Sequence, residues 1–360
     1  MKILFGVPDQ THRELANLEI EGIKSLNADC HNINYGSIHS KKGYLNKFLT
    51  TIKNAIQISK ALKKEQYDLL FLNTAFDSNA IIRDWLTLLI LKRAGINIFL
   101  KTHGADLQLL AKLGLYKQLM FKYIIKKVKG IGVLSNEERN AFLLKGYPEN
   151  KITTIKNPIN PDLYIKADDF KLTLGLDNSP FVFIFCSRFI PTKGLMEVLK
   201  AFKMVVSHFE NIHLFCIGDG PDMVKAVEFV KQNKLNKYIT FTGFISEKNA
   251  RSFYSNADAL VFPTSHQEGF PMVVFQSLAA GIPIITTRIR AAADYLDEPD
   301  NVLWVDPHNC IQISECMIKL LSDKKLVESM KKNNIKTAQQ FRTEKNAIEY
   351  MSIFTRIINK

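Results

Sequence analysis

The sequence predicts an α/β protein built from two doubly wound domains. Short runs rich in Ile, Leu, Val and Phe recur along the chain with helical patterns between them. They fall into two sets, and a proline-bearing breaker separates the sets. At roughly 150 residues per domain, a chain of 360 residues fits two cores better than one.

Taken in order, the first set is KILFGV, YDLLFLNT, INIFLKTH, GIGVLS and ITTIKN. Each is almost continuously apolar, as strands are when helices cover both faces of a parallel sheet. The breaker Asn157-Pro158-Ile159-Asn160-Pro161-Asp162 holds Asn-Pro twice, which puts the linker between a domain over 1–160 and a second over 161–340. The second set is FVFIFCSR, HLFCIGDG, ITFTGF, ALVFPT and IPIITT. The closing stretch, 341–360, places Ala347, Tyr350, Met351, Phe354, Ile357 and Ile358 on one helical face, which calls for an apolar partner surface.

Composition excludes several classes. With 46% hydrophobic and 23% charged residues, the chain is neither largely disordered nor fibrous. Apolar stretches such as Leu86 to Leu91 stop far short of the ~20 residues a spanning helix needs, and MKILFGVPDQ breaks too early for a signal peptide. The five cysteines, Cys30, Cys186, Cys216, Cys310 and Cys316, contain no C-x-x-C and suit reduced thiols in a cytosol. A cytoplasmic protein is expected.

The formal net charge is +13, and +11 of it falls within 1–160. A field of that sign suits nucleic acid, an anionic membrane surface or a phosphorylated ligand. Its densest source is LGLYKQLMFKYIIKKVKG, where Lys122, Lys126, Lys127 and Lys129 interleave with Leu119, Met120, Tyr123, Ile124, Ile125 and Val128. Such a helix can lie peripherally on the inner face of a plasma membrane, apolar residues below the headgroups and lysines on anionic lipids. It can equally bury one face in a core and leave a solvated basic one.

Ligands of open α/β sheets bind beyond the carboxyl ends of the strands, so chemistry is sought just after each run. After FVFIFC, Arg188 and Lys193 stand five positions apart on a strand-to-helix loop, a fork and a point charge that suit a diphosphate. Alone, such a pair is usually solvated surface. Gly218-Asp219-Gly220 follows HLFCI, where glycines allow a ligand close to the backbone or simply make a tight turn. ALVFPTSHQEGFPMVVFQSLAAGIPIITT reads as strand, loop, buried helix and strand, with Pro271 at the helix start and Gly281 past its end. The amides from Phe270 to Val273 then make an anion site at a helix N-terminus.

This constellation resembles the retaining glycosyltransferases of family 4, which have the GT-B fold: two Rossmann-like domains facing each other across a cleft, with a C-terminal helix crossing back to the N-terminal domain. The likeness is specific over Arg188, Lys193, the Gly218-Asp219-Gly220 turn and EGFPMVVFQSLAAGIPIITT. It is weaker over KTHGADL and LSNEERNAFLLKGYPENKITTIKNPINPDLY. The resemblance implies a nucleotide-diphosphate sugar as donor, a saccharide or lipid-linked saccharide as acceptor, and a role in bacterial surface polysaccharide, capsule or lipopolysaccharide assembly. It makes Arg188 and Lys193 the stabilisers of the departing diphosphate and puts Glu268 on hydroxyls of the donor sugar. His103 falls beside that sugar, with Gly104 and Asp106 toward the acceptor. Donor contacts extend to Gly218, Asp219, Gly220, Gly269, Phe270, Pro271, Met272 and Val273, and the base meets main chain around Phe244, Ile245 and Ser246.

Two departures stand out. The family's second glutamate, the ribose clasp, is replaced by Gln276, which keeps hydrogen bonding without charge. The first loop, Gly6-Val7-Pro8-Asp9-Gln10, lacks the paired glycines often found there. No D-x-D triplet occurs, so a site working without metal or other cofactor is expected, and the resemblance implies retention, with the acceptor attacking from the side the leaving group departs and no protein nucleophile needed. Two rivals remain at this level: a nucleotide-sugar epimerase on the same scaffold, and a basic nucleic-acid-binding protein. The second lacks any helix-turn-helix, zinc or RNA-recognition signature.

Overall fold

In the computed structural model the described residues are 1–8, 14–36, 43–92, 94–105, 112–164 and 180–359. The chain divides into two units, one of Met1–Pro158 with Phe341–Lys360 and one of Ile159–Gln340. Among the described residues no helix is long and apolar enough to cross a membrane.

The first unit runs β1 (Lys2–Val7), α1 (Glu14–Ser25), β2 (Asp29–Asn34), α2 (Tyr44–Lys64), β3 (Leu69–Thr74) and α3 (Ser78–Ile90). It continues through β4 (Asn97–Thr102), α4 (Leu115–Lys127), β5 (Gly130–Val133), α5 (Asn136–Leu144) and β6 (Ile152–Thr154). The second holds β7 (Phe181–Cys186), α6 (Leu195–Val206), β8 (Ile212–Ile217), α7 (Met223–Gln232), β9 (Ile239–Gly243) and α8 (Glu247–Asn256). Then come β10 (Ala259–Phe262), α9 (Met272–Ala279), β11 (Ile284–Thr287), α10 (Arg290–Tyr295), β12 (Val302–Val305), α11 (Cys310–Ser322) and α12 (Lys324–Ala338). The last helix, α13 (Thr343–Ile358), belongs to the first unit.

Both sheets have six strands, ordered β2-β1-β3-β4-β5-β6 and β12-β11-β10-β7-β8-β9, and every strand pair is parallel. The reversal of strand order falls between β1 and β3 in the first and between β7 and β10 in the second. Those are the crevices where such sheets bind ligands. Two strands, β2 (DCHNIN) and β12 (VLWV), lie outside the runs the sequence marks. Both are sheet edges. In β2 only Cys30 is buried, and the remaining residues are half-buried or exposed.

Helices α2 to α5 cover one face of the first sheet. There Leu4, Leu70, Leu72 and Leu100 meet Ile58, Ile81, Phe121 and Phe142 in one core. Residues Ile124, Ile125 and Val128 of the lysine-rich stretch are in this core, so they are not available to a bilayer. Lys122, Lys126, Lys127 and Lys129 are exposed, with Lys129 beyond the end of α4. On the opposite face, Tyr350 and Phe354 of α13 pack edge-on against Phe71 and Phe99, with ring centroids 5.5 to 6.4 Å apart. Ile357 reaches the sheet because Gly130 has no side chain: a Cβ there would stand 2.6 Å from Ile357 Cδ1. Under this helix lies a buried ion pair, Lys101 of β4 with Glu19 of α1. Asn157 Oδ1 accepts from the same ammonium at 2.6 Å, and Tyr350 OH donates to Glu19 at 3.1 Å.

Candidate active site

The second unit gathers most of the residues expected to carry chemistry, at the switch between β7 and β10. After β7 the chain turns through Ser187 to Phe189 and into a short 3-10 turn, Pro191–Lys193. The Gly218-Asp219-Gly220 turn holds that loop: the Ser187 amide donates to Ile217, the Phe189 amide to Asp219 and the Asp222 amide to Phe189. A Cβ on Gly218 would lie 1.8 Å from the Ser187 carbonyl oxygen, and one on Gly220 2.5 Å from that of Phe189. Both glycines also sit at positive φ, +135° and +156°. The sequence allows either a ligand's approach or a tight turn as the reason for these glycines, and their close neighbour is the Arg188 loop itself.

Thr192 joins this loop to the one after β10. Its carbonyl accepts from the Ser265 and His266 amides at 2.8 and 3.2 Å and from Thr264 Oγ1 at 3.1 Å. Glu268 is thereby carried to Lys193, and the two side chains form an ion pair. Lys193 is only 5% exposed, whereas Arg188 is exposed. Burial, with Arg188 second, lowers the Lys193 pKa to about 8. His266 is held low as well, by burial and then by Lys193, Arg188 and Arg290. Three cations therefore act on one loop, a field that favours an anion. Arg290 was not signalled by the sequence. It is buried, opens α10 at φ +35°, and its neighbour Ala291 donates to the Gly269 carbonyl at 3.4 Å.

Helix α9 begins beside them. Phe270 is buried and stacked on Phe275 at 3.8 Å, so only its main chain faces outward chemistry. Pro271 has no N–H, and the Val274 amide is closed on the Pro271 carbonyl. Pro271 therefore adds no donor to the stretch 270–273. Gln276, also buried, donates from Nε2 to Glu247 Oε1 at 3.0 Å. Sequence reasoning missed Glu247, which follows the α8 cap Ser246 and lies 29 positions from Gln276 along the chain. Phe244, next to Ile245 at the end of β9, is 83% exposed.

In the first unit, His103 and Gly104 follow β4. The His103 amide donates to the Thr74 carbonyl, and its Nε2 pairs with Asn73 Oδ1 at 2.9 Å. His103 is exposed at the surface, yet the protein crowding around it, then Lys101 and Arg83, lowers its pKa to about 3, so the imidazole is neutral. With Nε2 donating to Asn73, Nδ1 is left as an acceptor. Arg83 donates to the Asn73 carbonyl and pairs with Asp84, which also accepts from Thr74 Oγ1, so the β3 end that holds His103 is itself fixed. Asn73, next to last in LLFLNT, is a residue the sequence reading missed, although it lies at a strand end, where function is sought. Asp106, Asp9 and Gln10 lie outside the described residues.

Known families match the chain along most of its length. A family model described as glycosyltransferase family 4 matches residues 24–163, and one described as glycosyl transferases group 1 matches 167–337. The chain is 24% identical over 266 residues to N-acetyl-alpha-D-glucosaminyl L-malate synthase of Bacillus anthracis, covering 73% of this chain and 68% of that one. It is 29% identical over 200 residues to the capsular polysaccharide biosynthesis glycosyltransferase CapM of Staphylococcus aureus, covering 53% and 51%. Its fold is similar to that of Anabaena HepE, crystallised with UDP, at a TM-score of 0.78, 15% identity and 99% and 100% coverage. With two Rossmann-like parallel sheets and both family models laid end to end along it, the chain belongs to the GT-B glycosyltransferases of family 4.

Proposed function

We propose that the protein moves a sugar from a nucleoside-diphosphate donor to a saccharide or lipid-linked saccharide with retention of anomeric configuration, in the assembly of a bacterial surface polysaccharide. The observation that carries this reading is the buried Lys193–Glu268 pair beside exposed Arg188 at the strand-order switch. Breaking the anomeric C–O bond leaves negative charge on a diphosphate, and a catalyst must hold that charge more tightly in the transition state than before it. Arg188 offers a planar fork, Lys193 a desolvated ammonium whose field is little screened, and Met272 and Val273 main-chain donors.

Glu268 then has two tasks: it keeps Lys193 in place and offers its second oxygen to a donor hydroxyl. The neutral His103, with Nδ1 accepting, suits another sugar hydroxyl. The carboxylate missing at Gln276 is supplied by Glu247, which the Gln276 amide holds. The exposed Phe244 suits the flat face of a base. In this reading the cations do what divalent metals do in other transferases, and turnover persists in a chelator. The relatives' link to capsule synthesis supports the surface-polysaccharide setting.

A thermal-shift screen with uridine, guanosine and other nucleoside-diphosphate sugars tests the reading, since a bound donor stabilises the fold by mass action. One donor class is expected to raise Tm by several degrees at saturation. No shift with any of them, or isomerisation of the donor in place of transfer, would overturn the assignment.

A further inference from the structure

Gln276 stands where the family's pattern has a glutamate, and its neighbours give a physical reason for the exchange. Its side chain is buried, and an amide nitrogen carries two N–H groups. One is taken by Glu247 Oε1, 3.0 Å from Nε2. The phenol oxygen of Tyr164 takes the other, and also accepts from the Arg251 guanidinium. A carboxylate at 276 would have no hydrogen for either neighbour and would face Glu247 as a like charge.

Tyr164 closes a short 3-10 turn, Pro161–Tyr164, with which the chain enters the second unit. That turn touches both α8 and α9. Tyr164 is 5% exposed, and its ring stands edge-on to Tyr254 of α8 with centroids 6.0 Å apart, a packing that holds the ring in place. Burial first, then Glu247, raises the Tyr164 pKa, so the phenol brings no charge into the cluster. The cation comes from Arg251, one turn beyond Glu247 in α8. Of the four side chains only Glu247 is exposed, so it is the one that meets a ligand while the others stand behind it.

We propose that Tyr164 is a positioning residue of the nucleotide site: it holds the Gln276 amide turned toward α8, and the amide in turn holds Glu247 where a ribose is clasped. The inference rests on the reading of this unit as the nucleotide-sugar site, and it adds to that site a turn far upstream in the chain. The charge of the clasp lies on α8, with the amide on α9. A carboxylate accepts several hydrogen bonds, so Glu247 receives ribose hydroxyls while it keeps the amide. Removing the phenol oxygen takes an acceptor from the amide and from Arg251, and Gln276 is then free to turn away from Glu247.

Titration calorimetry of the full chain with UDP and GDP, each beside its 2′,3′-dideoxy form, tests this. The wild type is expected to bind one of the two nucleotides and to prefer it to its dideoxy form. Tyr164→Phe, which keeps the ring, should weaken binding of the ribose form roughly fivefold and leave the dideoxy form unchanged. Gln276→Glu should weaken it about tenfold near neutral pH, and the deficit against wild type should shrink toward about pH 5, because one of two facing carboxylates then takes up a proton. Exchanging the pair, Glu247→Gln with Gln276→Glu, restores one charge and one amide and should recover most of the affinity. A merely structural tyrosine would lower Tm and leave the preference for ribose hydroxyls intact. A wild type that binds neither nucleotide, or binds both forms alike, would overturn the ribose clasp and this inference with it. Full discrimination in Tyr164→Phe, tighter binding by Gln276→Glu near neutral pH, or an exchange that recovers nothing would overturn the role of Tyr164 and leave the nucleotide reading standing.

Discussion

At the scale of single residues, burial sets the behaviour of Lys193. Its pKa near 8, well below 10.5, comes from desolvation first and from Arg188 second. A cation that holds a leaving diphosphate works protonated, so transfer should fall as pH rises through about 8. Replacing Arg188 by Gln removes the repulsion that lowers Lys193, so the small residual rate should survive to higher pH than in the wild type. An alkaline limb that stays put would exclude Lys193 as the titrating group. Lys193→Ala itself should cost on the order of 10²- to 10³-fold in turnover while the protein stays folded. The pair Glu247 and Gln276 makes a separate prediction. Glu247→Gln should weaken binding of the donor nucleotide roughly tenfold, about 1.4 kcal/mol, and leave unchanged the binding of an analogue without ribose hydroxyls. Equal loss with both ligands in calorimetry would assign Glu247 elsewhere. Arg188, Lys193 and Glu268 are legible from sequence because together they resemble a known family's pattern, whereas Glu247 and Asn73 act through neighbours that only folding brings near.

At the scale of elements, apolar strands reveal themselves and polar contacts between elements do not. Eight of the ten marked runs are central strands and read as apolar stretches, whereas the edge strand β2 is missed because DCHNIN is mostly polar and buries only Cys30, and the apolar edge strand β12 falls outside the marked runs. Lys101 shows the same limit. Inside INIFLKTH it reads as one lysine in a strand, yet it is fully buried and tied to Glu19, Asn157 and, through Glu19, Tyr350. That knot links α1, β4, the last residues of the first unit before the chain leaves it, and α13. Removing one partner leaves an uncompensated buried charge, so Glu19→Ala should destabilise the first unit by about 3–5 kcal/mol. Pairing Glu19→Leu with Lys101→Met should cost clearly less, because both charges leave together. Denaturant melts of the single and double variants decide this. A double variant weaker than the single one would mean that packing, not charge, governs the site.

At the scale of the whole molecule, the chain is not built in the order it is written. The fold class follows from two sets of strands and a breaker, and the apolar stripe of 341–360 announces that it needs a surface. Which surface it covers depends on a gap that no pattern displays: Phe71, Phe99 and bare Gly130 leave one face of the first sheet open between α1 and β5. Helix α13 fills that gap with Tyr350, Phe354 and Ile357, all buried. Burying a large apolar side chain of this kind contributes about 1.5–3 kcal/mol, so losing three such residues removes an amount comparable to the ~5–15 kcal/mol that holds a typical domain. A chain ending at residue 341 should therefore lose cooperative unfolding in its first unit, bind a hydrophobic dye and show weakened near-ultraviolet dichroism. The second unit, whose described residues 180–340 hold a complete sheet, should still show the nucleotide-induced thermal shift. Wild-type cooperativity in the truncated chain would mean that the first sheet closes its core without α13.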